Sequence, residues 1–209
     1  MDIAIIGAGN VGQALAGALS RAGHKVTISA RHPERAAQAA QATGTTSAET
    51  NSAAVAAGDV VILAIPGAAY GAVVEEVGDE LDGKVVVDVT NRPTPDPSGA
   101  GTSAAEELQA SLPDVSVIKA FNTAFASRQA DPVVDGVSAD GFVAGADGEA
   151  KLKVLDIVES IGFRPVDAGS LAAARTLEGM GWLNISRNMQ DGTWQDAWVL
   201  LGPASRGTP

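Results

Sequence analysis

Seven short apolar runs recur along the chain at positions 3–6, 26–29, 60–65, 85–89, 115–120, 141–144 and 163–167, with longer helix-compatible stretches between them. The run Val60-Val61-Ile62-Leu63-Ala64-Ile65 shows no alternation of apolar and polar side chains. A strand of that kind is covered on both faces, as in a parallel sheet sandwiched between helices. Strand and helix patterns alternate throughout, which predicts an α/β fold: a doubly wound, mostly parallel sheet.

Helix boundaries are also readable. Val11, Ala14, Leu15, Ala18, Leu19 and Ala22 share one helical face, and Gly23 follows as a stop. Thr46-Ser47-Ala48-Glu49 and Ser103-Ala104-Ala105-Glu106 both fit a capping box, predicting two helix starts. Leu152, Leu155, Val158 and Ile161 predict a helical stripe that ends at Gly162, and a helical pattern resumes from Ser170 to about Met189. The expected organisation is a nucleotide-binding domain over residues 1–169 and a short helical C-terminal extension over 170–209, packed as one compact unit. Residues 92–101 read as a Pro/Gly-rich loop and 203–209 as a frayed tail.

The composition removes several function classes. The 209 residues include no cysteine and only two histidines, His24 and His32. Disulfide scaffolds, thiolate metal centres and cysteine nucleophiles are excluded, and no metal site is expected. A formal charge of −11 argues against nucleic-acid and anionic-membrane partners, so an anionic ligand must be held by local donors. The uncharged stretches 3–20 and 60–74 are broken by glycines or by Pro66, and an acidic Met1-Asp2 start precedes the first; neither reads as a signal or a membrane span, and a cytoplasmic protein is expected.

Directly after the first apolar run comes Gly7-Ala8-Gly9-Asn10-Val11-Gly12. In a dinucleotide-binding turn the first glycine permits the bend, the second lets a pyrophosphate approach the backbone, and the third lets the helix sit close to the strand. The helix N-terminus then supplies oriented N–H groups, so Gly7, Gly9, Asn10, Val11 and Gly12 are expected cofactor contacts. The alternative is a purely structural glycine turn. Where an NAD-selecting domain carries an acidic residue for the ribose, this chain reads Ser29-Ala30-Arg31-His32-Pro33-Glu34-Arg35. Hydroxyl and guanidinium groups suit a 2′-phosphate, so Ser29, Arg31 and Arg35, with His32 as a flanking contact, predict NADP(H) over NAD(H). Solvated arginines at a helix start are the alternative.

In open parallel sheets ligands collect at the carboxyl ends of the strands. That places Ile65, Pro66, Asn91, Ala120 and Asn122 as further cofactor contacts, with Asn122 and Thr123 beside the reacting ring; simple turn capping is the competing role for the Asn and Thr side chains.

The chain resembles the coenzyme F420-dependent NADP oxidoreductases, whose Rossmann domain is shared with the STEAP reductase domain. The resemblance is carried by 7–12, 29–31, 60–66, Val87-Asp88-Val89-Thr90-Asn91, 103–107, Lys119-Ala120-Phe121-Asn122-Thr123, 141–145 and Asp167-Ala168-Gly169-Ser170-Leu171 with Arg175. The family's usual Ser-Arg pair is replaced here by Ala30-Arg31, with Ser29 one residue earlier. The resemblance implies NADP binding in the N-terminal half and a flat second redox partner, coenzyme F420 or a flavin, against the nicotinamide.

Hydride transfer between two rings needs alignment rather than a catalytic triad, which matches a chain with no cysteine, no histidine near the expected site and no obvious paired carboxylates there. The expected activity is therefore an NADPH-dependent oxidoreductase with a small-molecule redox acceptor. Reduction of a ferric chelate, quinone or imine, and a non-catalytic NADP(H) sensor, are the competing readings. Trp182, Trp194 and Trp198 are expected to fill a core or dimer contact rather than a pocket, and Arg175 to meet either an acidic acceptor or solvent. A homodimer closed by residues 182–201 is expected, because an isolated crevice of this kind leaves the reacting ring open to water.

Overall fold

The structure, a computed structural model, describes residues 1–92, 101–146 and 148–202; most of the expected 92–101 loop and the expected 203–209 tail lie outside the described residues. In chain order the elements are β1 (Asp2–Ile6), α1 (Asn10–Arg21), β2 (Lys25–Ser29), α2 (Pro33–Thr43), β3 (Thr46–Ser47), α3 (Asn51–Ala56), β4 (Val60–Leu63) and α4 (Tyr70–Val77). There follow β5 (Val85–Asp88), α5 (Ala104–Ser111), β6 (Ser116–Ala120), α6 (Ala126–Ala130), β7 (Val133–Val134), β8 (Val137–Ser138), β9 (Asp140–Ala144), α7 (Glu149–Ser160), β10 (Arg164–Asp167) and α8 (Ala174–Asp191).

Eight strands form one sheet in the order β10-β9-β6-β5-β4-β1-β2-β3, while β7 and β8 make a separate hairpin. All neighbours in the large sheet are parallel except β6 and β9. The expected α/β, doubly wound, mostly parallel sheet is thus present. Its non-alternating strands bury both faces because Ile3, Ile5, Val60 and Ile62 pack under α1, α2 and α7, while Ala4, Ile6, Val61 and Leu63 pack under α3, α4 and α5. Truncating a fully buried side chain such as Ile62 to Ala costs about 2–5 kcal/mol.

The helix signals divide. Gly23 takes φ +86° beyond α1, and Gly162 φ +97° beyond α7, as stop residues do. Ser103 forms the expected reciprocal capping box with Glu106. The expected capping box at 46–49 is absent: Thr46 and Ser47 pair with Thr27 and Ile28 as β3, and the next helix opens at Asn51, capped by Thr50. Edge pairing satisfied the backbone that the box would have capped. The α7 stripe is also shifted, since Leu152 is exposed while Lys151, Val154, Ile157 and Val158 are buried. Lys151 reaches across to Asp167, and a lysine does not register in an apolar pattern.

Candidate functional site

The strand order reverses between β1 and β4: β2 and β3 lie on one side and β5 and β6 on the other. A crevice opens where a doubly wound sheet makes this switch. It holds a cavity of about 610 Å³ lined by Gly7, Ala8 and Gly9 after β1, Arg31, His32 and Arg35 after β2, and Ala64, Ile65 and Pro66 after β4. Helix α4 closes one wall with Ala72, Val73 and Glu76.

The three glycines hold different jobs. Gly7 has φ +115°, and a Cβ there would lie 2.2 Å from the Ala64 carbonyl oxygen. A Cβ on Gly12 would stand 1.8 Å from the Gly7 carbonyl oxygen, so Gly12 allows α1 to press on the turn. Beside Gly9 nothing lies within 4 Å, which leaves its surface open to a ligand. Gly9 is the N-cap of α1, offers no side-chain cap, and has no acidic residue following in the first turn. The oriented amides of Asn10 and Val11 therefore belong to a helix end suited to an anion.

At the end of β2, Arg31, His32 and Arg35 are exposed on the cavity wall. Among the described residues neither arginine has an ion-pair partner, so both guanidinium groups are available to a ligand. Ser29 is placed differently from the expectation. It is fully buried, and its hydroxyl donates to Asn51 Oδ1 at 2.9 Å rather than facing the cavity. Asn51 Nδ2 donates in turn to Glu76 Oε2 at 2.8 Å. Sequence reasoning missed Glu49, Thr50, Asn51 and Glu76 on this wall, because no local motif links the start of α3 and the turn before it to α4, which only folding brings together.

The other predicted residues sit at the ends of β5 and β6, outside the cavity lining. Ala120 and Thr123 are buried and Asn91 is half-buried. Phe121 turns the chain in the left-handed region at φ +61°, held by edge contact of its ring with Phe163 and by the Gln129 amide donating to its carbonyl. Such a conformation costs about 1–2 kcal/mol, which this packing offsets. Beyond it, Asn122 Nδ2 donates to Asn91 Oδ1 and to the Leu177 carbonyl, both at 2.8 Å. Among the described residues its buried Oδ1 has no partner, and an orphaned buried acceptor is a place for a ligand donor.

Beneath these loops lies a charged cluster that the sequence reading did not anticipate. Lys119 on β6 is wholly buried and pairs with Asp88 of β5 at 2.9 Å and with Glu178 of α8 at 3.0 Å. Asp88 also accepts from Tyr70 and from the Thr90 amide and hydroxyl. Burial, then the Asp88 charge, pushes the Tyr70 phenol well above its ordinary pKa, so it stays a donor. The strands looked apolar throughout, and single charged residues at their ends gave no sign that they converge.

Arg175, partly exposed, has an internal partner. It makes a two-pronged ion pair with Glu106 at 2.7 and 2.8 Å, which together with the Ser103 cap holds the Glu106 carboxyl down to about 2. None of the tryptophans lines the cavity. Trp182 donates to the Arg92 carbonyl, Trp194 meets Phe125 edge-on, and Trp198 packs beside Phe142 and Leu177.

A family model described as NADP oxidoreductase, coenzyme F420-dependent, matches residues 2–92. Over 210 residues the chain is 30% identical to the F420-dependent NADP reductase of Methanocaldococcus jannaschii, with 91% of this chain and 93% of that protein covered. It is 32% identical over 177 residues to Metalloreductase STEAP3 of Rattus norvegicus; 84% of this chain is covered but only 35% of that protein. A crystal structure of a candidate F420-dependent NADP-reductase from Arthrobacter sp. FB24 superposes with a TM-score of 0.85 at 28% identity, covering 97% of this chain and 100% of that one.

Proposed function

Because the chain belongs to the coenzyme F420-dependent NADP oxidoreductase family, we propose that it transfers a hydride between NADP(H) and a deazaflavin such as F420, or a flavin, held at the carboxyl ends of β4, β5 and β6. Its class is that of an NADP-dependent oxidoreductase. The observation that carries the reading is the cavity at the switch point, which joins an open glycine turn to two arginines without an ion-pair partner among the described residues.

The bound nicotinamide supplies the hydride chemistry, and the chain supplies position. The backbone amides of Gly9, Asn10 and Val11 would hold the pyrophosphate, since the Gly7 amide already donates to the Ser29 carbonyl, while Arg31 and Arg35, flanked by His32, would hold the 2′-phosphate. Ser29 acts one step back, by fixing Asn51. Ile65 and Pro66 form the apolar wall along which the cofactor passes, and Gly12 and Ala120 keep the backbone close. Asn91, Asn122 and Thr123 would border the nicotinamide, where the Asn122 Oδ1, without a partner among the described residues, could accept a hydrogen bond from it. Alignment of two reacting rings in this way replaces an acid–base pair.

Mixing the protein with NADPH and oxidised F420, FMN or a ferric chelate, and following NADPH absorbance, tests the acceptor. Oxidation with F420 or FMN is expected. The resemblance to STEAP3 favours the ferric chelate as second reading, and tight NADPH binding without oxidation by any acceptor would make the chain a sensor. The protein acts as a cytoplasmic homodimer in this reading. Exposed Leu183 and Met189 on α8 support the dimer, since apolar side chains there gain by burial. A monomer mass by light scattering at micromolar concentration would contradict it. Among the described residues no helix is long and apolar enough to cross a membrane.

A further inference from the structure

One turn of α8 is docked on the β5 and β6 loops by a set of dissimilar contacts. The Leu177 carbonyl accepts from Asn122, and the Trp182 indole donates to the Arg92 carbonyl at 3.0 Å. Between them Gly181 lets the helix touch: a Cβ there would lie 2.7 Å from Asn91 Oδ1 and 3.0 Å from the Asn122 carbonyl oxygen. Glu178 is the charged member of this turn. Its Oε1 accepts from Lys119 Nζ at 3.0 Å and from the Ala104 amide, the first of α5, at 2.8 Å, and its Oε2 receives the Arg92 amide.

Lys119 spends its three protons on Asp88, Glu178 and the Thr90 carbonyl. Every strong donor in the cluster therefore has a fixed acceptor on a different element: β5, the loop after it, or α8. Buried ion pairs repay their desolvation poorly when judged as stability, and apolar residues of the same volume would pack as well. What such a pair does supply is a single register, because sliding α8 by one residue would strand a buried carboxylate and a buried ammonium without partners.

We infer that Glu178 and Lys119 are positioning residues for the nicotinamide half of the site: they lock α8 onto the loops carrying Asn91 and Asn122, and so set the half-site that lies outside the adenosine cavity. This rests on the NADP(H) reading above. It also separates two halves of one ligand, since none of Asn91, Lys119, Asn122 or Glu178 lines the cavity beside Arg31 and Arg35.

The separation makes the inference testable with ligands that differ only in the nicotinamide half. The probes are NADPH and 2′,5′-ADP, titrated into wild type and Glu178→Gln, with far-UV circular dichroism to check folding. Glu178→Gln is expected to bind 2′,5′-ADP as wild type does, while the extra affinity that NADPH draws from its nicotinamide half falls by about tenfold. A merely structural role would weaken both ligands together or neither. Trp182→Phe removes one hydrogen bond of the same clamp without touching the buried charges, and should move the NADPH to 2′,5′-ADP ratio in the same direction by about threefold. An unchanged ratio in a folded Glu178→Gln, or in Trp182→Phe if the first variant does not fold, overturns the inference. If wild type binds neither ligand, it is the NADP(H) reading that fails; if it binds both and the ratio stays constant in the variant, only the positioning role fails.

Discussion

Replacing Arg31 by Ala isolates the selection of NADP(H) over NAD(H). The guanidinium stands exposed on the cavity wall and has no ion-pair partner among the described residues, so its removal breaks no ion pair there and should leave folding intact. A hydrogen bond to a charged group contributes about 1.5–3 kcal/mol, and solvent screening at an exposed site puts Arg31 at the lower end. A loss of about 1.5 kcal/mol is about tenfold in Kd for NADP(H). Ser29 cannot take over, since its proton is held by Asn51. The carboxylates of Glu49 and Glu76 on the same cavity would also be less well offset once one cation is gone. NAD(H), without the phosphate, should lose no more than about twofold. Titration of both cofactors into both proteins by intrinsic fluorescence or calorimetry gives the four constants. Raising the salt should narrow the difference, because the contact is exposed and screened over a Debye length of about 8–10 Å. Equal losses for the two cofactors, or wild-type affinities that do not distinguish them, would refute the phosphate clamp. Arg31→Ala and Arg35→Ala together should fall short of the product of the single effects, since both guanidinium groups would share one phosphate.

Asn122→Ala should lower kcat by more than it raises the NADP(H) Kd, because what is lost is ring alignment; unchanged turnover in a folded variant would leave Asn122 a bracket between Asn91 and Leu177 only. Arg175→Ala tests the link between α5 and α8 through pH. Glu106 is held down from 4.5 to about 2 in the folded state, so its pairing stabilises the protein fully above about pH 4.5 and is lost as pH falls toward 2. The variant should unfold at lower urea near neutral pH, by a small margin because the arginine of the pair is partly exposed and screened by solvent, and its stability should fall less steeply between pH 4.5 and 3. Parallel urea midpoints for both proteins across that window would show that Arg175 does not hold the carboxyl down.

The α/β class, the doubly wound parallel sheet and the glycine turn after β1 were all legible in the amino-acid sequence. Each rests on a local signal: apolar runs without alternation, a glycine whose φ must be positive, a glycine whose Cβ would meet the neighbouring backbone. Arg31 and Arg35 were legible for the same reason, since their distance from the glycine turn along the chain sets which strand end they occupy. Only the tertiary structure turned Ser29 away from the cavity, converted the apparent capping box at Thr46 into an edge strand, and shifted the buried face of α7. In each case a partner distant in the chain decided the outcome; at Thr46 it outweighed a local capping preference worth about 1 kcal/mol. The same holds for the buried Asp88, Lys119 and Glu178, which lie 31 and 59 residues apart along the chain measured from Lys119. No spacing rule pairs charges at such separations. Their meeting follows from the order of strands in the sheet and from α8 returning across the carboxyl edge, which no single segment encodes.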